Sequence, residues 1–206
     1  MMTALLDAGA RGIRAVRTTD QARAIKAEDP SVILGGERDG LPPEGFDLGN
    51  SPATIEPAMV RGRTVVLTTT NGTRAVEMVP KPMPCVMLAL VNLDAVADSL
   101  RLIGSDILIV CSGTDGQRSA EDELAAGLLV AHFDGWTLTE RAEDTADRAT
   151  GSVGVGGGIE AAVRRSSHAA RLIELGFEAD VRYCSRHSVT RTVPVLDRQT
   201  GLIVPG

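Results

Sequence analysis

The residues best equipped for chemistry fall in three short runs, each rich in glycine and in hydroxyl or carboxylate side chains. The first is Gly35-Gly36-Glu37-Arg38, continuing to Gly45-Phe46-Asp47-Leu48-Gly49-Asn50-Ser51-Pro52. Glu37 and Asp47 offer hard oxygen ligands suited to Mg²⁺. Arg38 could grip a phosphate or carboxylate with two parallel hydrogen bonds, and the glycines let backbone come close to a ligand. The competing reading is a solvated surface loop. The second run is Thr68-Thr69-Thr70-Asn71-Gly72-Thr73-Arg74. Several hydroxyls, an amide and the free N–H groups of a helix start would together cradle an anion. Ordinary capping by Thr70 or Asn71 is the alternative, but a cap needs one such residue rather than six. The third is Ser112-Gly113-Thr114-Asp115-Gly116, followed by Glu121-Asp122. Asp115 and Glu121 could complete a metal site, whereas Ser119 and Asp122 also fit a capping box.

Other reactive residues are less promising. His132 lies in an Ala/Leu-rich stretch, His168 near a helix start and His187 in a polar run, with no Ser-His-Asp arrangement. Cys111 stands at a strand end without an identifiable histidine, so thiol catalysis is a weak reading. Cys85, Cys111 and Cys184 form no CxxC pair, which argues against zinc or a disulfide framework and for a reducing cytoplasm. Gly154 to Gly158 is glycine-rich but follows no clear apolar strand, and makes a poor dinucleotide fingerprint.

The elements around these runs alternate between strand and helix. Gly12 to Arg17 reads as a strand, and Thr18 with Gln21 makes a capping box for a helix to about Glu28. Val32 to Leu34, Thr64 to Thr68, Val86 to Val91 and Asp106 to Cys111 are further apolar strands. Helices are expected from Ser51-Pro52 to about Val60, after Arg74 to about Val79, over 93–102, from Ser119 to about Phe133, over 138–149 and over 168–175. Gly151 to Gly158 reads as a flexible hinge, and the tail as edge strands at Val193 to Leu196 and Leu202 to Val204. Repeated strand–loop–helix units predict an α/β fold: three layers, α/β/α, with a mostly parallel central sheet. All three polar runs would then sit outside the carboxyl ends of strands, where such sheets bind ligands.

Composition narrows the partners. The 206 residues are 43% hydrophobic but only 2% aromatic, so the core rests on Val, Leu, Ile and Ala. A net charge of −6 argues against nucleic acid or an anionic membrane as the main partner. No apolar run approaches the length of a membrane span, and Met1 to Ala10 reads as a helix rather than a signal peptide. A small anionic substrate is compatible, because local arginines and helix N-termini can override the global charge. A homo-oligomer is left open.

Taken together and in order, these motifs resemble the 2-phosphosulfolactate phosphatase family, the ComB-like proteins. The resemblance is carried by Gly35-Gly36-Glu37-Arg38, Gly45 to Pro52, Thr69 to Thr73, Cys111 to Gly116 with Glu121-Asp122, and Leu175-Gly176-Phe177-Glu178-Ala179-Asp180-Val181. It covers roughly residues 3–133 and 167–197. It implies Mg²⁺-dependent hydrolysis of 2-phosphosulfolactate to sulfolactate and phosphate, a step that in some organisms leads to coenzyme M. On this reading Glu37, Asp47, Asn71 and Asp115 are catalytic, and Glu37, Asp47 and Glu121 hold the metal. Arg38, Asn50, Ser51, Thr69, Thr70, Gly72, Thr73, Arg74, Ser112, Gly113 and Thr114 bind substrate. Members of the family begin with an extra strand and an Asp-x-x-Arg-Ala-Thr motif, whereas this chain starts at the helix that should follow. The expectation is therefore a single domain over 1–206 lacking that strand. The alternative function is a truncated, catalytically impaired relative that binds anions or serves in assembly.

Overall fold

The computed structural model describes residues 1–206 except Asp115 and Gly156. Its contacts divide the chain into two compact units, Met1–Met87 with Thr192–Gly206, and Leu88–Arg191; the sequence reading drew no such division.

The first unit contains α1 (Met2–Asp7), β1 (Gly12–Ala15), α2 (Thr19–Glu28), β2 (Ile33–Gly36), a 3-10 turn (Pro52–Thr54), α3 (Pro57–Val60), β3 (Thr64–Thr68), α4 (Gly72–Met78), β4 (Pro194–Leu196) and β5 (Ile203–Pro205). Thr18 caps α2 as expected, in a reciprocal box with Gln21. The single helix expected after Ser51 is instead two short pieces, each with a proline in its first turn. Proline is tolerated there but not further inside, so Pro57 starts a new element rather than extending the old one.

Among the described residues the strands form one sheet in the order β2-β3-β1-β5-β4. β2, β3 and β1 run parallel, in a register that sets Ile13 and Ile33 both beside Val65. β5 is antiparallel to β1 and β4 antiparallel to β5, so the sheet is mixed. Side-chain alternation sends Ile13, Ile33, Val65, Leu67 and Ile203 to one face, under Leu5 and Leu6 of α1 and Val60 of α3. Val66, Leu34, Val32 and Val16 meet Ala22 and Ile25 of α2 on the other. Each fully buried Val, Leu or Ile contributes roughly 1.5–3 kcal/mol, and this two-sided burial fixes the strands.

Two expected strands are absent from the sheet. Val86 makes only an isolated antiparallel bridge to Val195, with Met87 N–H on Pro194 O and Leu196 N–H on Cys85 O, both at 2.9 Å. Beyond it the Asn92 carboxamide accepts Ala89 N–H at 2.8 Å and bends the chain into a 3-10 turn over Leu90–Asn92. Residues 106–110 form no helix or strand, with Leu108 73% and Val110 46% exposed. An apolar run becomes a strand only where a neighbour satisfies its backbone, and periodicity does not reveal that neighbour.

The second unit is helical among its described residues: α5 (Leu93–Ile103), α6 (Ala120–Val130), α7 (Glu140–Gly154), α8 (Gly158–Arg164), α9 (Ser167–Glu174) and α10 (Glu178–Cys184). Leu90, Leu93, Leu124, Ala149, Val163, Ala169 and Val181 form its core. α6 and α7 approach closely at Gly127, where a Cβ would lie 2.3 Å from Thr145 O and 2.5 Å from the Ala149 Cβ. The expected hinge at 151–158 is partly helix, because α7 continues through Gly154.

Candidate active site

Because β1, β2 and β3 are parallel, their carboxyl ends share one edge of the sheet, and two of the three polar runs leave from it. β2 ends hard against β3: a Cβ on Gly36 would stand 2.0 Å from Thr68 O, so only glycine fits. Glu37 N–H then donates to Thr68 O at 3.1 Å. Its carboxylate reaches across the gap, one oxygen accepting Thr70 N–H at 2.7 Å and the other accepting Gly40 N–H at 3.1 Å. Glu37 thus ties the first polar run to the second. Arg38 braces the same junction. Its guanidinium donates to Thr68 Oγ1 at 2.8 Å, Arg17 O at 3.1 Å and Glu37 O at 2.6 Å, which links the ends of all three parallel strands.

The 69–74 turn is locked by two threonines. Thr73 N–H donates to Thr69 Oγ1 at 3.2 Å, Thr69 N–H to Thr73 Oγ1 at 3.4 Å, and the Thr73 hydroxyl to Thr69 O at 2.9 Å. Thr73 is buried, Thr69 and Asn71 are half-buried, and Thr70 and Arg74 are exposed. Asn71 occupies the N-cap position of α4 without a side-chain capping bond, and Gly72 is the first helical residue. Ordinary capping by Asn71 therefore does not account for this turn. One of its backbone amides, that of Thr70, donates to the Glu37 carboxylate.

Asp47 lies elsewhere. Its Oδ2 accepts Leu34 N–H at 2.8 Å and sits 3.3 Å from the Lys26 ammonium. Leu34 is three residues before Glu37, about 10 Å along a strand. In this placement Asp47 pins the returning loop to the flank of β2 and pairs with Lys26. Asn50 is exposed and Ser51 half-buried, ahead of the 3-10 turn.

The third run belongs to the second unit. Asp122 folds it onto the start of α6, accepting Gly113 N–H at 2.8 Å and the Ser112 hydroxyl at 3.1 Å. Ser119 Oγ accepts Asp122 N–H, so one half of the expected capping box forms and the Asp122 carboxylate is spent on the loop instead. Thr114 and Gln117 pair through both backbone bonds. Glu121 accepts the Ser119 hydroxyl at 2.8 Å and the Ser166 hydroxyl at 2.9 Å. Asp115 lies outside the described residues. Partial desolvation of its sulfur, and then the carboxylates of Asp122 and Glu123, raise the Cys111 thiol above its ordinary range, the opposite of what a nucleophile needs.

Sequence reasoning missed a polar junction in this unit. His132 Nε2 lies 3.2 Å and His187 Nε2 3.6 Å from the same Asp94 oxygen, while His132 Nδ1 faces Leu128 O at 2.9 Å. Asp94 N–H donates to Ser188 Oγ at 3.0 Å, which helps hold Ser188 at a φ of 49°. The three residues are far apart in sequence, so no local spacing announces them.

Among the described residues no three His, Cys, Asp or Glu side chains are grouped to hold a metal. Each Glu37 oxygen accepts one amide and keeps a further lone pair for a cation, and Glu37 is an expected ligand placed at the ends of the parallel strands. Among the described residues no helix is long and apolar enough to cross a membrane.

The chain was compared with known proteins. The family model for 2-phosphosulpholactate phosphatase matches residues 1–199. A protein of Thermotoga petrophila named "Probable 2-phosphosulfolactate phosphatase" is 38% identical over 202 residues, covering 95% of this chain and 83% of its own. One of the same name from Deinococcus radiodurans is 41% identical over 195 residues, covering 93% and 80%. A third, from Thermotoga maritima, is 40% identical over 202 residues, covering 95% and 83%.

Proposed function

Since the chain belongs to the 2-phosphosulfolactate phosphatase family, we propose that it hydrolyses 2-phosphosulfolactate to sulfolactate and phosphate. The observation that carries this reading is the junction of Glu37 with the 69–73 turn. There, backbone amides at the end of a parallel strand already receive an anionic group, at 2.7 Å from Thr70 N. A phosphoryl group placed beside Asn71 and Gly72 would meet the amide dipoles at the start of the following helix. Preorganised donors of this kind supply most of the catalysis in phosphoryl transfer, because they are aimed before charge develops.

In the reaction the oxygen of water joins phosphorus as the ester P–O bond breaks. The proton of the attacking water leaves, and the alkoxide of sulfolactate takes one up. The Thr69–Thr73 lock holds the turn rigid, Arg38 braces the strand ends, and Arg74 adds positive charge at the mouth. For Ser112, Gly113, Thr114, Asp115 and Glu121 the proposal keeps the substrate, catalytic and metal roles that the family resemblance implies. Mg²⁺ would be held by Glu37 with the substrate's own phosphoryl oxygens, a mode that needs only one or two protein carboxylates. When bound it would neutralise charge on those oxygens. A cytoplasmic setting and a place before coenzyme M belong to the same proposal.

Phosphate release from 2-phosphosulfolactate, with Mg²⁺ and again with EDTA, tests it. The expected result is release that EDTA abolishes and that exceeds release from phosphoglycolate and 3-phosphoglycerate. Equal rates across these esters would overturn the substrate assignment, and absence of release from all of them the phosphatase reading.

A further inference from the structure

An open groove of about 410 Å³ beside β1 is lined by Arg14, Val16, Gln21, Ile25, Gly201 and Glu77 of α4, the last paired with Arg17. Hydrogen bonds link its lining to the strand-end site. α4 begins in the 69–73 turn, Gln21 Oε1 accepts Arg17 N–H at 3.0 Å, and Arg17 O receives the Arg38 guanidinium. Most cations near the strand ends are already engaged. Arg38 is spent on two backbone carbonyls and Thr68, and Arg17 pairs with Glu77 at 3.3 Å. Arg14 differs. It is half-buried in the middle of β1, and its recorded bond is a long one, 3.5 Å to Thr200 O. Among the described residues no carboxylate lies within ion-pair distance of it. An arginine held in a sheet wall without a counter-charge is a standing invitation to an oxyanion, because its planar fork matches one bidentately. Arg14 precedes Arg17, whose carbonyl receives Arg38, by three residues, about 10 Å of strand.

We propose that Arg14 is a specificity-determining residue that binds the second oxyanion of the substrate, the sulfonate or carboxylate remote from the phosphoryl group. The inference rests on the proposed phosphatase reading for its substrate and names a different residue at a different end of that substrate. Phosphate groups are handled by the 69–73 turn, and the oxyanionic tail by the groove.

The test compares Arg14→Gln and Arg14→Lys with the wild-type chain on 2-phosphosulfolactate, 2-phospholactate and isopropyl phosphate. Circular dichroism and thermal melting establish that each variant is folded. Arg14→Gln is expected to raise KM by about 10–100-fold, the scale of losing a charged hydrogen bond, for esters that carry the bound group. The effect falls on KM far more than on kcat, spares isopropyl phosphate, and is smaller in Arg14→Lys. A loss confined to 2-phosphosulfolactate identifies the sulfonate, and a loss shared with 2-phospholactate the carboxylate. An equal rise for all three esters, or none, overturns the proposal. If the wild-type chain turns over none of them, the phosphatase reading fails separately. Calorimetric binding of sulfolactate against isopropanol then decides: sulfolactate binding weakened by Arg14→Gln sustains the groove assignment, and binding that is undetectable or unchanged overturns it.

Discussion

At the scale of single residues, one carboxylate does what another of the same type does not, and neighbours decide which. Glu37 stands between two loops at the strand ends, and Asp47 stands against Lys26 on the flank of β2. Asp47→Asn is therefore expected to leave kcat largely intact and to cost about 1 kcal/mol or less of stability, the range of a partly exposed ion pair; steady-state rates beside urea titrations check both. A large fall in kcat would return Asp47 to the metal site. Thr73→Val probes the lock. It removes a buried hydroxyl that accepts Thr69 N–H and donates to Thr69 O, leaving partners unsatisfied at a cost of about 1–3 kcal/mol. Urea unfolding should show that loss, together with a raised KM. Cys111, its thiol pKa raised by desolvation and by Asp122 and Glu123, should react slowly with iodoacetamide near neutrality. Rapid alkylation there would contradict the assigned environment.

At the scale of elements, close backbone approach sets the architecture at two glycines. Gly36→Ala would force a methyl group against Thr68 O, and Gly127→Ala would force one between α6 and α7. Each should destabilise by about 3 kcal/mol, the upper range of overpacking, measured by denaturant titration. Gly36→Ala should additionally disturb the active-site junction. Such approaches also mark what the sequence could reveal. Capping at Thr18, the buried run Thr64 to Thr68 and the presence of the tail strands were legible, because local chemistry suffices for each; the expectation that both tail strands are edges fails for β5, which lies between β1 and β4. Asp106 to Cys111 reads as a buried strand on the same grounds, yet its backbone is unladdered, because pairing depends on residues distant in sequence. The polar runs were recognised from composition. That Asp47 serves Lys26, or that Asp122 serves Gly113, follows only from the folded path of the loops.

At the scale of the molecule, each unit carries its own polar organisation and responds to solution conditions accordingly. The Asp94 carboxyl is held below its ordinary range, by the Ser188 hydroxyl first and then by His187 and His132. A folded pKa below the unfolded one contributes stability above the unfolded value, and that contribution is lost as pH falls through the lowered folded value. Asp94→Asn should therefore be less stable than the wild type near neutrality, with the difference vanishing in strong acid; unfolding followed at both extremes checks it. In the first unit the parallel strand ends converge on the Glu37–Thr70 junction. Amide chemical-shift mapping with inorganic phosphate is the decisive measurement there. The largest perturbations are expected at Glu37, Gly40 and residues 69–74. Shifts confined to residues outside these loops would contradict that expectation.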